Sequence, residues 1–251
     1  MYRLRRVVAM LMFPLLAGVA LAQTKAAEAK DVDPLALQVL KAVTQPIEQA
    51  KVLSFKALVS EEELATDGQI VTFFHTVNVT LQRPDKIHLI FQGRGRRVEF
   101  YGSGGTITMY APEVNLYGTM PAKDTIDATL DELNTKDVDL PIGPFLRDDG
   151  YKRAAANVTT GYVIGRVKIF DQDVHQLAFT APDADWQLWV TGGENPRIIR
   201  AEIVNKKLEG KPRTTIQFLD WDLNPTIAAD EFTFAKPADA HQIDMLLPGG
   251  K

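Results

Sequence analysis

Apolar and polar residues alternate with a period of two along most of this chain, and this alternation constrains the fold most. In the clearest stretch, Thr72 to Gln82, every second side chain lies on one face: Phe73, His75, Val77, Val79 and Leu81. Successive side chains of a strand point to opposite faces of its sheet, so one face is mainly apolar and the other polar. Short turns such as Arg83-Pro84-Asp85 follow such stretches, which predicts an antiparallel meander.

The apolar positions of four successive predicted strands form one set. They keep the period of two on both sides of each turn, so we expect them to share one side of a single sheet: Val77, Val79, Leu81, Ile87, Leu89, Phe91, Val98, Phe100, Ile107 and Met109. A slip of one residue in register would turn every side chain of a strand to the other face of the sheet, so the prediction fails if any one strand is shifted.

A helix is predicted before the first strand. Asp33-Pro34 is a typical N-cap followed by proline at the first helical position. Apolar residues then recur at a spacing of four and predict a buried stripe: Leu35, Val39, Val43 and Ile47. Because Pro46 removes a backbone donor, we expect the helix to run from Pro34 to about Gln45 and to bend or end there, with one further turn beyond it as the alternative.

The middle of the chain breaks the alternation. Asp124 is a predicted N-cap, and Pro141-Ile142-Gly143-Pro144 is a possible hinge. The apolar side chains around these two features predict a lid over the apolar side of the sheet: Ile126, Leu130, Leu133, Ile142, Phe145 and Leu146.

Strands resume near Tyr162, and five more are predicted before the end of the chain. Trp186 and Trp189 are three residues apart on one of them, so their side chains should point to opposite faces. The ending around Phe232-Thr233-Phe234 predicts an extended tail docked on the sheet.

The N-terminus has the pattern of a secretory signal peptide. Three arginines precede an apolar run from Val7 to Ala22 that closes on Ala20-Leu21-Ala22. The alternative is a transmembrane anchor, but the run is shorter than the ~20 residues that such a helix needs. We therefore expect a cleaved leader at residues 1–22, a flexible tether at 23–33, one domain at 34–251, and a periplasmic location without a permanent membrane anchor.

Composition excludes several classes of protein. The chain has no cysteine, which rules out a lipid-modified N-terminal cysteine, a disulfide and a thiol nucleophile. Its formal net charge of -4 becomes more negative when the leader arginines are removed, so a nucleic-acid partner is not expected.

Motifs for catalysis or metal binding are also lacking in the sequence. The four histidines show neither His-x-His nor His-x3-His spacing, and no Gly-x-Ser-x-Gly occurs. Gly93-Arg94-Gly95-Arg96-Arg97 is interpreted as a hairpin turn, with a contact to lipid phosphates or an acidic partner as the alternative. We expect no catalytic residue, no metal site and no cofactor.

Three segments carry a family resemblance. They are Gln82-Arg83-Pro84-Asp85-Lys86-Ile87, the hairpin from Trp189-Val190-Thr191 to Pro196-Arg197-Ile198, and the ending from Asn224-Pro225 through Asp230-Glu231-Phe232-Thr233-Phe234 to Pro237. With the order of the predicted elements, they resemble the periplasmic lipoprotein-carrier (LolA/LolB-like) superfamily, and most closely its branch of predicted periplasmic proteins.

The resemblance implies an α+β fold, mainly antiparallel β: a curved half-barrel sheet with helices covering its concave face. It also implies that this face holds a lipid or acyl chain, or the acyl chains of a lipoprotein. An unclosed sheet with one apolar face needs a cover, and a loosely fitting cover leaves a cavity. The ten aligned sheet residues are then the candidate cavity lining. The alternative is a non-catalytic interaction module whose groove engages a protein; the sequence leaves the oligomeric state open.

Overall fold

The computed structural model describes residues 31–136, 138 and 140–245. The predicted signal peptide, residues 1–22, lies outside the described residues, and so do residues 23–30 of the predicted tether.

Thirteen strands are formed by the described residues: β1 (Asp31–Val32), β2 (Val52–Leu64), β3 (Ile70–Gln82), β4 (Lys86–Gly93), β5 (Arg96–Ser103), β6 (Thr106–Ala111), β7 (Leu116–Pro121), β8 (Thr160–Ile169), β9 (Gln172–Thr180), β10 (Ala184–Thr191), β11 (Ile198–Asn205), β12 (Arg213–Asp222) and β13 (His241–Gln242). The helices are α1 (Pro34–Gln49), α2 (Ile126–Thr135) and α3 (Gly150–Ala156), with short 3-10 turns at Pro112–Val114 and Gly143–Phe145.

All thirteen strands belong to one curved, unclosed sheet, in the order β1-β8-β9-β10-β11-β12-β2-β3-β4-β5-β6-β7-β13. Neighbours pair antiparallel, except that the two short edge strands β1 and β13 pair parallel with β8 and β7. The predicted fold class, a mainly antiparallel α+β half-barrel with helices over one face, is confirmed.

The strand register places all ten aligned apolar residues on one face. Val77, Val79 and Leu81 of β3 pair with Phe91, Leu89 and Ile87 of β4. The set continues through pairs such as Leu89 with Phe100 and Phe91 with Val98, then Phe100 with Met109. Directly paired residues of antiparallel strands lie on the same side of the sheet. This side faces the helices, and we call it the concave face.

Helix α1 covers the middle of the concave face and differs from its prediction in two ways. Its buried residues are Ala36, Leu40, Val43 and Ile47, whereas Leu35 is 52% exposed. A spacing of four drifts by about 40° per step around a helix of 3.6 residues per turn, so a four-residue stripe leaves the buried face. The helix also continues without a break through Pro46, and the turn that ends at Gln49 is the further turn that the prediction left open.

Two predicted boundaries also need correction. Asp31–Val32 forms β1 and Asp33 caps α1 by accepting a hydrogen bond from Leu35 N at 2.8 Å, so the last three residues of the predicted tether are part of the domain. The N-cap of α2 is Thr125 and not Asp124: the Thr125 hydroxyl accepts a hydrogen bond from Ala128 N at 3.1 Å.

The predicted docked tail is confirmed on the face opposite the helices. Phe234 packs against the rings of Tyr101, Tyr110 and Tyr117, with centroids 5.2–5.8 Å apart. The chain then reaches the sheet edge, where β13 pairs with β7. The tail therefore crosses one face and ends beside the other.

Candidate ligand-binding cavities

Two cavities lie on the concave face. The first, here called the large cavity, has a volume of about 460 Å3 and is bounded by β4 to β7 and α2. The second, here called the small cavity, has a volume of about 300 Å3 and is bounded by α1, α3, β10 and β11. Both volumes fall within or at the edge of the ~300–1,000 Å3 that ligand pockets usually occupy.

The large cavity is lined by six of the ten aligned residues: Ile87, Leu89, Phe91, Phe100, Ile107 and Met109. The remaining four share the face but not the cavity. Val77, Val79 and Leu81 are at most 1% exposed and belong to the packed core, and Val98 is half-buried beyond the cavity. The six lining residues therefore mark where the cover over the sheet is loose.

The six predicted lid residues divide between three places. Ile126, Leu130 and Leu133 of α2 line the large cavity together with Leu146. Phe145 lines the small cavity, and Ile142 is buried in the core. Helix α2 is thus the cover of the large cavity, while the segment after it takes part in both cavities.

Several wall residues of the large cavity were not predicted from the sequence. They come from strand β7, from the connection after α2 and from the end of the tail: Met120, Ala122, Val138, Leu140, Ile243, Asp244 and Met245. Met120 pairs directly with Ile107, so the period of two could have found it. The contribution of the tail depends on its path around the sheet and leaves no local pattern.

The segment around Phe145 and Leu146 lies between the two cavities. Phe145 faces the small cavity and the next residue, Leu146, faces the large one. Phe145 packs against Phe218 of β12 with ring centroids 4.7 Å apart. The turn Gly143–Phe145 and the C-terminal half of α1 therefore form a partition in the middle of the concave face.

Arg83 holds this partition in place. Its guanidinium donates to the Ala50 and Ile47 carbonyls at the end of α1, at 3.2 and 3.4 Å. It also donates to the Leu146 and Arg147 carbonyls at 2.9 and 3.1 Å. A cation at the C-terminus of a helix satisfies carbonyls that lack intrahelical partners and complements the helix dipole. One side chain thus links the β3–β4 turn, α1 and the segment after the lid.

Ion pairs fasten α2 to the segment that follows the partition. Arg147, whose side chain is 7% exposed, pairs with Asp131 at 2.9 Å and with Asp127 at 3.8 Å. Arg153 of α3 binds the other oxygen of Asp131 at 2.9 Å. Burial raises the pKa of Asp127, and the nearby Arg83 opposes that rise. Opening the lid would therefore require these pairs to separate.

Asp127, Asp148 and Asp149 form a cluster of carboxylates within 4.8 Å of one another. Arginines already supply opposite charge here: Arg83 and Arg147 lie beside Asp127, and Arg153 pairs with Asp149 at 2.7 Å. The cluster is therefore accounted for by the ion-pair network around the lid.

The small cavity has mainly apolar walls and three charged residues in its lining. Its strand wall includes Trp186, Leu188, Ile198 and Ile203, and its helix wall includes Leu40 and Ile47. Arg147, Arg153 and Glu48 also line it. Glu48 accepts a hydrogen bond from Tyr151 N at the start of α3. The predicted opposite orientation of two tryptophans holds, since Trp186 pairs with Ile203 on the concave face and Trp189 pairs with Arg200.

A polar cluster anchors the tail on the opposite face. His88 Nδ1 lies 3.0 Å from a carboxylate oxygen of Glu231 in the tail, and the Tyr101 hydroxyl donates to the buried Glu99. Burial, followed by the bond to Glu99, raises the pKa of Tyr101 above its ordinary value. The same tail continues to the edge of the sheet, where Ile243, Asp244 and Met245 line the large cavity. The cluster therefore helps to fix the path of the chain that forms this wall.

These features define a class of protein: an open, strongly curved antiparallel sheet whose helix-covered face encloses apolar cavities. The chain belongs to the family described as predicted periplasmic protein (DUF2092), whose model matches residues 36–246. The resemblance derived from the sequence is thereby confirmed for the family.

Solved structures share this fold at low sequence identity. The lipoprotein LppX of Mycobacterium tuberculosis is 14% identical, with a TM-score of 0.50, over 78% of this chain and 100% of its own. LprF of Mycobacterium bovis is 16% identical, with a TM-score of 0.52, over 78% of this chain and 97% of its own. A LolA superfamily protein of Nitrosomonas europaea is 14% identical over 79% of this chain and 97% of its own, with a lower TM-score of 0.30.

No curated protein matches the chain. Among the described residues, no helix combines the length and the apolar character needed to cross a membrane.

Proposed function

We propose that this protein is a periplasmic, non-catalytic binding protein whose large cavity holds an acyl chain of a lipid or of a lipidated protein. The observation that carries the proposal is the wall of the cavity, which is built almost entirely from aliphatic, methionine and phenylalanine side chains. The family description supports the periplasmic location.

Burial of an acyl chain against the apolar wall can supply enough free energy for binding without a covalent bond or a catalytic step. Each buried methylene contributes about 0.8 kcal/mol, so ten of them contribute about 8 kcal/mol. Association costs an estimated ~4–15 kcal/mol in lost freedom of motion, so a long chain binds detectably while a short one does not. Length of the apolar chain is therefore the property that this cavity selects.

The lid gives the cavity a route of entry. Helix α2 presents Ile126, Leu130 and Leu133 to the cavity and is held from outside by the pairs of Asp131 with Arg147 and Arg153. Both partners of the Arg153 pair are about half exposed, so water screens the attraction and the pair can open at low cost. We propose that α2 moves outward to admit the chain.

Uptake of a fluorescent monoacylglycerol tests this proposal with two neighbouring positions. Met120→Trp places a large ring inside the cavity, because Met120 lines it. Thr119→Trp is the matched control, because Thr119 is exposed and its side chain lies on the opposite face of β7. We expect Met120→Trp to weaken uptake roughly tenfold or more and Thr119→Trp to leave it unchanged.

Native mass spectrometry of protein purified from its own cell envelope provides the second measurement. The proposal predicts a co-purifying lipid or acylated species that Met120→Trp reduces. Uptake that is absent in the unmodified protein, or equal in both variants, would reject the large cavity as a binding site and favour the protein-partner alternative.

A further inference from the structure

The small cavity has no role in the function proposed above, although its walls are also mainly apolar. Its lining shares no residue with that of the large cavity, and the partition around Phe145 and Leu146 stands between them. A ligand in one cavity therefore makes no contact with the residues that line the other. The small cavity needs its own account.

The charged residues that line the two cavities differ in kind. Asp85 and Asp244 are the charged residues that line the large cavity. The small cavity is lined by Arg147, Arg153 and Glu48, and both arginines also pair with aspartates outside the lining, at positions 127, 131 and 149. An arginine N–H group that these pairs leave free would favour an anionic head group at the small cavity, whereas the aspartates at the large cavity favour a neutral or cationic one.

Arg153 is placed to meet such a head group. Its side chain is 45% exposed while the apolar walls beside it are mostly buried, so the guanidinium lies where the cavity meets water. Its Nε binds Asp149 at 2.7 Å and its Nη2 binds Asp131 at 2.9 Å. Those bonds leave Nη1 without a hydrogen-bond partner among the described residues, and guanidinium groups bind carboxylates through paired N–H donors.

We propose that the small cavity is a second ligand site, separate from the large cavity, that takes a single-chain amphiphile with an anionic head group such as a fatty-acid carboxylate. The chain lies against Trp186, Leu188 and Ile203, and the carboxylate meets Arg153 at the edge. The proposal concerns a different set of residues from those of the acyl-chain site, so either site can exist without the other.

Trp186 is a built-in reporter for this site. It lines the small cavity and stacks on Phe179 with ring centroids 4.1 Å apart. Trp189 lies on the opposite face of the same strand, with Arg200 5.6 Å from its ring. The chain has only three tryptophans, so the loss of one is easily resolved in the emission spectrum.

Brominated lauric acid is the probe, because bromine quenches tryptophan emission on contact. Titration of the full-length protein should quench part of the emission with saturation. The quenching should persist in Trp189→Phe and disappear in Trp186→Phe. Absence of saturable quenching in the unmodified protein, or quenching that survives Trp186→Phe, would overturn the proposal.

The charge of the head group is tested in the chain that keeps all three tryptophans, which avoids dependence on the folding of Trp186→Phe. Brominated lauryl alcohol should bind more weakly than the acid. Arg153→Gln should weaken binding of the acid roughly tenfold, and Arg153→Lys should retain much of it. Equal binding of acid and alcohol, together with no effect of Arg153→Gln, would contradict the anionic assignment.

The two proposals fail in different ways. If the quenching assay fails while monoacylglycerol uptake remains sensitive to Met120→Trp, only the small-cavity site is rejected. If uptake fails while quenching at Trp186 is observed, only the large-cavity site is rejected.

Discussion

The centre and the flanks of the concave face are built from the same kinds of side chain but are filled differently. In the centre, α1 shares one packed core with β2, β3 and β12, and residues such as Leu53, Leu81 and Ile216 are completely buried. On the flanks, the covering helices α2 and α3 are short, ten and seven residues against sixteen for α1. The difference teaches that a cavity in this fold arises where the cover is shorter than the sheet beneath it.

The two flanks also differ from each other. The larger is nearly free of charge apart from two aspartates, whereas the smaller has two arginines and one glutamate at its lining. The same architecture thus offers two chemically distinct spaces, divided by a partition that Arg83 holds. Substitutions can test both the partition and the contrast between the filled centre and the hollow flanks.

Replacement of Arg83 should have the largest effect. Arg83→Met leaves four backbone carbonyls without their donor, and buried unsatisfied acceptors make the loss about 3–5 kcal/mol in the free energy of unfolding. Lys168→Met is the control, because Lys168 and its partner Asp173 are 66% and 73% exposed. It should cost less than about 1 kcal/mol.

Urea denaturation of both variants provides the measurement. Because Arg83 joins the end of α1 to Leu146 and Arg147, which follow the turn between the cavities, its loss should weaken ligand binding in both cavities at urea concentrations below the unfolding transition. A loss similar to that of Lys168→Met would show that the partition does not depend on this side chain.

Two leucines on neighbouring strands test the contrast between centre and flank. Leu81 is in the filled centre and Leu89 lines the large cavity, yet both are at most 5% exposed. Leu81→Ala should cost about 3–5 kcal/mol, and Leu89→Ala about 2–3 kcal/mol, because Leu89 already has empty space on one side. Chemical denaturation measures both. Equal losses would mean that the large cavity is effectively filled in solution.

A smaller effect is expected when the ion pairs that hold α2 against the following segment are weakened. Asp131→Asn removes the charge that Arg147 and Arg153 share, and its side chain is 47% exposed, so stability should fall by less than about 1 kcal/mol. Release of a bound monoacylglycerol, followed by stopped-flow fluorescence, should become faster. An unchanged release rate in Asp131→Asn would show that ligand does not enter or leave by movement of α2.

The smallest expected effect is on the pH dependence of the free energy of unfolding. Burial lowers the pKa of His75, and Glu61, 3.4 Å away, opposes the shift only in part. The unfolded chain then binds the proton more readily, so the contribution of His75 to stability is complete above pH ~6.5 and is lost as the pH falls through the lowered pKa of the folded state. The free energy of unfolding should therefore decrease between about pH 8 and about pH 5, and less so in His75→Phe. An equal decrease in both proteins would assign the pH dependence to other groups.

The sequence predicted well which face each strand residue occupies, because side chains alternate strictly between the two faces of a sheet. Once Leu89 faces the helices, its cross-strand partners Val79 and Phe100 must do so as well. The sequence did not distinguish Leu81 from Leu89, since both are apolar residues in regular strands. Which of them lines a cavity depends on how far α1 reaches across the sheet, and that is a property of the assembled domain.

Long-range contacts explain the other differences. Arg83 stands in a Pro-Asp turn and has the local pattern of a surface residue, but its partners are 33 to 64 residues away in the chain. The small cavity was missed because β10, β11 and α1 supply its walls from distant segments that each resemble ordinary core. Ile243 to Met245 reach the large cavity only because the tail crosses the opposite face first.

Photo-crosslinking with a diazirine-bearing monoacylglycerol tests the central claim most directly, because it reports where an acyl chain lies in the full-length protein. The account predicts that peptide mapping finds the label on the inward-facing residues of β4 to β7 and on α2, with Leu89, Met109 and Leu130 among the labelled sites, and that Met120→Trp suppresses it. Label confined to the opposite face, or spread equally over both faces and insensitive to Met120→Trp, would contradict the account.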